Sequence, residues 1–159
     1  MSSFDRRTIL LSLAALAGCG FEPVYAPSGS ASTLQGRIAI APPADEEGFA
    51  LVGRLEDRLG AANSADLTLT ADIRLTEESV GFLPDGSISR FNVLGQVDWT
   101  LSRADGQPAL AGSERSFTSY SATSTTVATI FAKRDARRRL MVILADRIVA
   151  DILNRSGEL

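Results

Sequence analysis

The sequence predicts an α+β fold, a two-layer sandwich in which a four-stranded, mostly antiparallel sheet carries two helices on one face, in the order β-α-β-β-β-α. Three observations predict it. Apolar and polar residues alternate through long stretches between about residue 67 and residue 120, with turn-forming residues between them. One stretch before those strands and one after them carry apolar residues at helical spacing. Two amphipathic helices can cover one face of such a sheet but not both. With 159 residues, 45% hydrophobic and 22% charged, the chain suits one ordinary globular domain.

Leu34 to Ala41 alternates into Ile38 and Ile40 and stops at Pro42-Pro43, the pattern of a first strand. Asp45-Glu46-Glu47 places acids where a helix N-terminus favours them, and Leu51, Val52, Leu55 and Leu59 recur at helical spacing up to Gly60, predicting a helix over about 49–59. Leu67, Leu69, Ala71, Ile73 and Leu75 alternate with Thr68, Thr70, Asp72, Arg74 and Thr76 in a strand with one buried face. Leu83-Pro84-Asp85-Gly86 turns the chain into a strand over 88–102, with Phe91, Val93, Gly95, Val97, Trp99 and Leu101 on one face. Phe91 and Trp99 fit a core better than a ligand platform. Ala104-Asp105-Gly106 turns again into a strand over about 109–120 containing Leu110, Phe117 and Tyr120. A helix over about 127–153 follows, capped by Thr125 or Thr126, with Ile130, Met141, Leu144, Ile148 and Ile152 as its apolar stripe. The uncovered sheet face, including Thr68, Thr70, Asp72, Arg74, Gln96, Asp98 and Thr100, is polar enough to meet solvent or a partner.

The residue census removes much familiar enzymology. There is no histidine, one cysteine (Cys19) and one lysine (Lys133), so Ser-His-Asp triads, Cys-His pairs and multi-ligand zinc sites cannot be built. Glu77 and Glu78 are neighbours on a strand and point to opposite faces, which rules them out as an acid/base pair; they and Asp45-Glu46-Glu47 read as solvated charge. No glycine pattern forms a phosphate loop. No catalytic residue, metal ligand or cofactor is predicted.

The N-terminus carries a processing signal. Arg6 and Arg7 precede the apolar run Ile9 to Ala17, which ends in small residues at a cysteine. Nine residues of helix reach about 14 Å, roughly half of a bilayer's hydrocarbon core, too short to span it. Residues 1–18 therefore read as a signal peptide and Cys19 as the site of lipidation, where two acyl attachments would anchor the chain stably. Residues 19–33, with Pro27-Ser28-Gly29-Ser30-Ala31-Ser32-Thr33, read as a lipidated N-terminus and flexible tether, and 34–159 as the domain. Removing residues 1–18 takes away Asp5, Arg6 and Arg7, leaving 14 basic and 18 acidic side chains in 141 residues, a net charge of −4. Nucleic acid is not an expected partner. Any anion site must be local, and the dense basic run is Lys133-Arg134-Asp135-Ala136-Arg137-Arg138-Arg139 at the start of the last helix. Within it Lys133, Arg134 and Arg137 are the candidate anion contacts; the competing reading is a solvated helix face.

Leu16-Ala17-Gly18-Cys19 running into Gly20-Phe21-Glu22-Pro23-Val24-Tyr25 resembles the LPS-assembly lipoprotein family of Gram-negative bacteria. The resemblance continues in the element order, the turn near Phe82–Gly86 and the helix opening Phe131-Ala132-Lys133. It implies a non-catalytic, outer-membrane lipoprotein that partners a large β-barrel lipopolysaccharide-assembly protein and binds lipopolysaccharide through basic residues. One of these matches Lys133, while a second, near Leu83-Pro84, has no charged counterpart, and Arg90 is its neighbour. Similarity to lipoproteins in general implies outer-membrane sorting, because Gly20 rather than aspartate follows Cys19. An accessory lipoprotein of a lipid transporter remains the alternative reading of the same anchor and tether, and a carboxylate hydrolase is disfavoured by the residue census.

Overall fold

The computed structural model describes residues 30–122 and 125–159. Its elements are α1 (Ser30–Leu34), β1 (Ile38–Ile40), α2 (Glu46–Leu59), β2 (Leu67–Phe82), β3 (Ile88–Arg103), β4 (Pro108–Ser121), α3 (Thr126–Asn154) and a terminal 3₁₀ turn (Ser156–Glu158). The predicted order is present, with α1 and the 3₁₀ turn as additions. The sheet, β1-β2-β3-β4, is mixed: β2, β3 and β4 form an antiparallel meander, whereas β1 lies parallel to β2 over Ile38–Ile40 and Leu67–Leu69. The parallel pairing follows from the connection, because a strand returning through α2 can re-enter the sheet in its original direction.

Local chemistry fixes the boundaries. After Ile40, Ala41 N–H donates to Leu69 O (2.9 Å), and Pro42 and Pro43, lacking N–H groups, end the pairing. Asp45 caps α2 by accepting from Gly48 N–H (2.7 Å), and Gly60, at φ 80°, closes it with a bond to Glu56 O (2.8 Å). Both hairpins use an Asp-Gly turn: Ser87 N–H donates to Asp85 and Gln107 N–H to Asp105 (2.9 Å each), while Gly86 and Gly106 take the positive φ. Thr125 caps α3 through Ala128 N–H (3.3 Å).

The core lies between the sheet and the two long helices. Leu51, Leu55 and Leu59 of α2, Leu67 and Leu69 of β2, and Val93, Val97, Trp99 and Leu101 of β3 meet Met141, Leu144, Ile148 and Ile152 of α3 there, and all are buried. One expectation changes. Ile130, placed in the core stripe, is 52% exposed, because α3 comes fully onto the sheet only from Ala136 and its first turns overhang. Phe117 is also exposed, since period-two alternation turns Leu110 and Tyr120 inward and Phe117 outward. Phe91 is partly buried and stacks on Tyr120, ring centroids 5.3 Å apart.

The uncovered face is polar and internally bonded. Arg115 donates to Gln96 (3.0 Å), Gln96 donates to Asp98 (2.9 Å), and Asp98 pairs with Arg74, a chain across three strands. The β4 edge is also guarded. Arg139, Arg147 and Arg155, eight residues apart along α3 and its cap, donate to the carbonyls of Ser119, Arg115 and Ala111, four residues apart on β4. Eight helical residues rise about 12 Å and four strand residues about 13 Å, so the two spacings match. Guanidinium groups occupying edge carbonyls oppose the addition of a foreign strand there.

Candidate anion-binding site

Cys19, the signal sequence 1–18 and residues 19–29 of the tether lie outside the described residues. The helix α1 overlaps the last residues of the stretch read as tether and ends at Leu34, which is 2% exposed and joins the core.

The described part of the predicted site is the start of α3. Helical geometry divides the basic run in two. Lys133, Arg134 and Arg137 face α2 and β2, whereas Arg138 and Arg139 pair with Asp135 on their own helix. The three predicted residues are therefore brought together, and each meets an acid. Lys133 Nζ lies 2.9 Å from Glu77 Oε1 and donates to Oε2 at 3.0 Å. Arg137 donates through one terminal nitrogen to Glu47 and through the other to Glu77, both at 2.8 Å. Arg134 sits 3.6 Å from Glu46, with both side chains well exposed. The six groups sum to zero charge. Glu77 also accepts from the Tyr120 hydroxyl (3.4 Å), which ties the network to the core.

Glu47 and Glu77 correct the reading of these acids as solvated charge: their side chains keep 19% and 24% of their exposure. Glu77 was findable. It continues the odd-numbered series Leu67, Leu69, Ala71, Ile73, Leu75, and so turns toward the helices. Glu47 depends on how α2 packs against α3, which periodicity within either helix does not reveal.

Burial alone would push the Glu77 carboxyl up; hydrogen bonds and charge from Lys133 and Arg137 outweigh it and hold the group below the usual glutamate range. Burial would likewise lower the Arg137 guanidinium, but Glu77 and Glu47 raise it. Because the Glu77 pKa is lower folded than unfolded, the network stabilises the domain fully above the ordinary glutamate pKa and loses that stabilisation as pH falls through the depressed folded value. Thermal melts should therefore shift downward as pH is lowered through and below the glutamate range, and Glu77→Gln should flatten that part of the profile.

A cavity of about 250 Å³ opens over this cluster, bordered by Glu46, Glu47, Ala50, Ile130, Lys133, Arg134, Arg137 and Arg138. A second, of about 500 Å³, lies on the other side of α3 and includes Arg90, Ser119, Ser121, Asp135 and Arg139. The Arg90 side chain forms no hydrogen bond or ion pair among the described residues. The same end of the molecule is strongly apolar. The β2–β3 hairpin and the overhanging start of α3 expose Val80, Phe82, Leu83, Ile88, Val127, Ile130 and Phe131, seven of the ten exposed large apolar side chains among the described residues. The site thus sets cationic groups beside an apolar surface, the complements of the two parts of an anionic amphiphile. Among the described residues, no group of three or more His, Cys, Asp or Glu side chains could hold a metal ion, and no helix is long and apolar enough to cross a membrane.

The similarities to known proteins agree with this architecture. A lipoprotein of Caulobacter crescentus superposes with a TM-score of 0.66 at 22% identity, covering 81% of this chain and 96% of that one. Rare lipoprotein B of Shewanella oneidensis gives 0.58 and a minor lipoprotein of Acinetobacter baumannii 0.59, each at 14% identity over 76% of this chain and 94% of theirs. At these identities the likeness is one of fold. No curated protein matches the sequence. The family model for LptE, described as lipopolysaccharide-assembly, matches residues 35–152, from the turn before β1 almost to the end of α3. The chain belongs to the LptE lipopolysaccharide-assembly family.

Proposed function

We propose that the chain is a non-catalytic lipoprotein, held in the outer membrane by acyl groups on Cys19, that binds and helps assemble a large β-barrel translocon and assists insertion of lipopolysaccharide at the cell surface. In this reading Lys133, Arg134 and Arg137 contact the phosphates and acidic sugars of the glycolipid. The observation that carries it is the meeting of those three cations with an exposed apolar end in a domain whose overall charge is negative. Arginine presents paired donors to phosphate oxygens in the geometry its carboxylate partners already use, so a phosphate can take a carboxylate's place there by replacing one charge-assisted hydrogen bond with another. Weak, salt-sensitive binding suits a component that passes its ligand on. Membership of the family supports the assembly role, and the polar uncovered face supplies a hydrogen-bonding surface suited to a water-facing wall of a partner.

Depletion of the protein should lower mature barrel and surface lipopolysaccharide together, and affinity purification from detergent-solubilised outer membranes should recover a large barrel in stoichiometric amount. Unchanged barrel maturation and surface lipopolysaccharide on depletion, or recovery of inner-membrane transporter subunits instead, would overturn this reading.

A further inference from the structure

Resting on the reading that the start of α3 takes phosphate groups of a glycolipid, we propose that Glu47 sets the affinity of that site by occupying the position on Arg137 that a phosphate would take, while Glu77 positions the same cations from the opposite side. Arg137 is held between two carboxylates, with one terminal nitrogen on Glu47 and the other on Glu77, each at 2.8 Å. The two acids are not equivalent. Glu47 borders the cavity over the cluster, together with Lys133, Arg134 and Arg137, whereas Glu77 is not among its lining residues and is fixed by Lys133 and the Tyr120 hydroxyl as well. An anion entering the cavity therefore meets the Arg137–Glu47 pair, and the Glu77 bonds remain behind it.

Carboxylate and phosphate use the same donor geometry on a guanidinium, so the exchange replaces one charge-assisted hydrogen bond by another. The displaced Glu47 stays in the first turn of α2, where the N-terminal end of the helix favours its charge. Because Lys133, Arg134 and Arg137 are balanced by Glu46, Glu47 and Glu77, the site attracts an anion only by what that anion gains over the resident carboxylates. This favours a group with several phosphates over an isolated one and keeps binding weak enough for release.

The test measures lipopolysaccharide retention by the full-length protein in detergent at low salt, for wild type, Glu47→Gln, Glu77→Gln and the Lys133→Glu/Arg134→Glu double variant. Glu47→Gln should raise retention by about two- to fivefold, the effect of one partly screened ion pair. Glu77→Gln removes the same formal charge outside the cavity and should raise it less or lower it. Glu47→Asp, which keeps the charge and the helix-start preference but draws the carboxylate back from Arg137, should show a smaller rise and guards against a fold defect in the glutamine variant. Added inorganic phosphate should erase the gain. Retention by Glu47→Gln at or below wild type, gains of equal size in Glu47→Gln and Glu77→Gln, or a gain that phosphate does not touch would overturn the proposal. If the double variant retains lipopolysaccharide like wild type, the reading of the site itself fails; if it loses retention while Glu47→Gln gains none, only the role of Glu47 fails.

Discussion

Replacing Gly112 by valine should lower the stability of the domain by at least about 2–3 kcal/mol, the upper range for forcing extra volume into a packed core, and leave little folded protein at moderate temperature. Gly112 lies directly opposite Trp99 in the β3–β4 register, and the indole lies over it. A Cβ at position 112 would stand 2.7 Å from Trp99 Cε2 and Cζ2 and 2.8 Å from Nε1, closer than carbon atoms approach. The ring is rigid and 1% exposed, so relief must come from strand separation or from displacement of neighbouring core side chains. Gly112→Ala should show the same direction with a smaller loss. Gly53 supplies the control. It sits within α2 with nothing within 4 Å of its would-be Cβ, and Gly53→Ala should be neutral or stabilise by about 0.5–1 kcal/mol through the unfolded chain. Thermal or denaturant unfolding of the three variants measures the contrast.

Cys19→Ser should abolish lipidation altogether. Charge at Arg6 and Arg7, the apolar run Ile9 to Ala17 and the small residues before the cysteine all converge on that position, and no second cysteine can take its place. The variant should accumulate as unprocessed precursor carrying no acyl chains, and membrane association through the lipid should be lost. Mass spectrometry of the native protein decides the point: acylated Cys19 as first residue is expected, and a free thiol there would contradict it.

The fold was legible where a period was strict and a turn was chemically marked. The alternation from Leu67 to Thr76, the two Asp-Gly turns and the stripe Met141-Leu144-Ile148-Ile152 each correspond to an element of the structure. Ile130 belongs to the same helical series but was misplaced, because periodicity reports which face a residue occupies and not whether the sheet extends far enough to cover it. Parity alone places Phe117 outside the core, an odd number of residues from Leu110 and from Tyr120, which both turn inward. At the candidate site the cations were legible as a local density of charge. Their partners were legible only in part: parity turns Glu77 toward the helices, but Glu47 and Glu77 lie 90 and 60 residues from Arg137 in sequence and only the α2–α3 and β2–α3 packing brings them within 2.8 Å. A run of like charge therefore marked a place without revealing that the fold neutralises it.

That neutralisation makes the binding claim sharply testable. Lipopolysaccharide retention by the Lys133→Glu/Arg134→Glu protein, measured at low and at moderate salt, addresses it most directly. Reversing Lys133 sets a third carboxylate beside Glu77 and Glu47 and should cost some stability, so Arg134→Glu alone, at a side chain 61% exposed, accompanies it as a variant that leaves the fold intact. If these cations hold the glycolipid, the double variant should retain about tenfold less than wild type at low salt, the single variant should fall between them, and moderate salt should bring wild type down toward the double variant. Equal retention by wild type and double variant at both salt concentrations would contradict the account and leave Lys133, Arg134 and Arg137 as a structural ion-pair network.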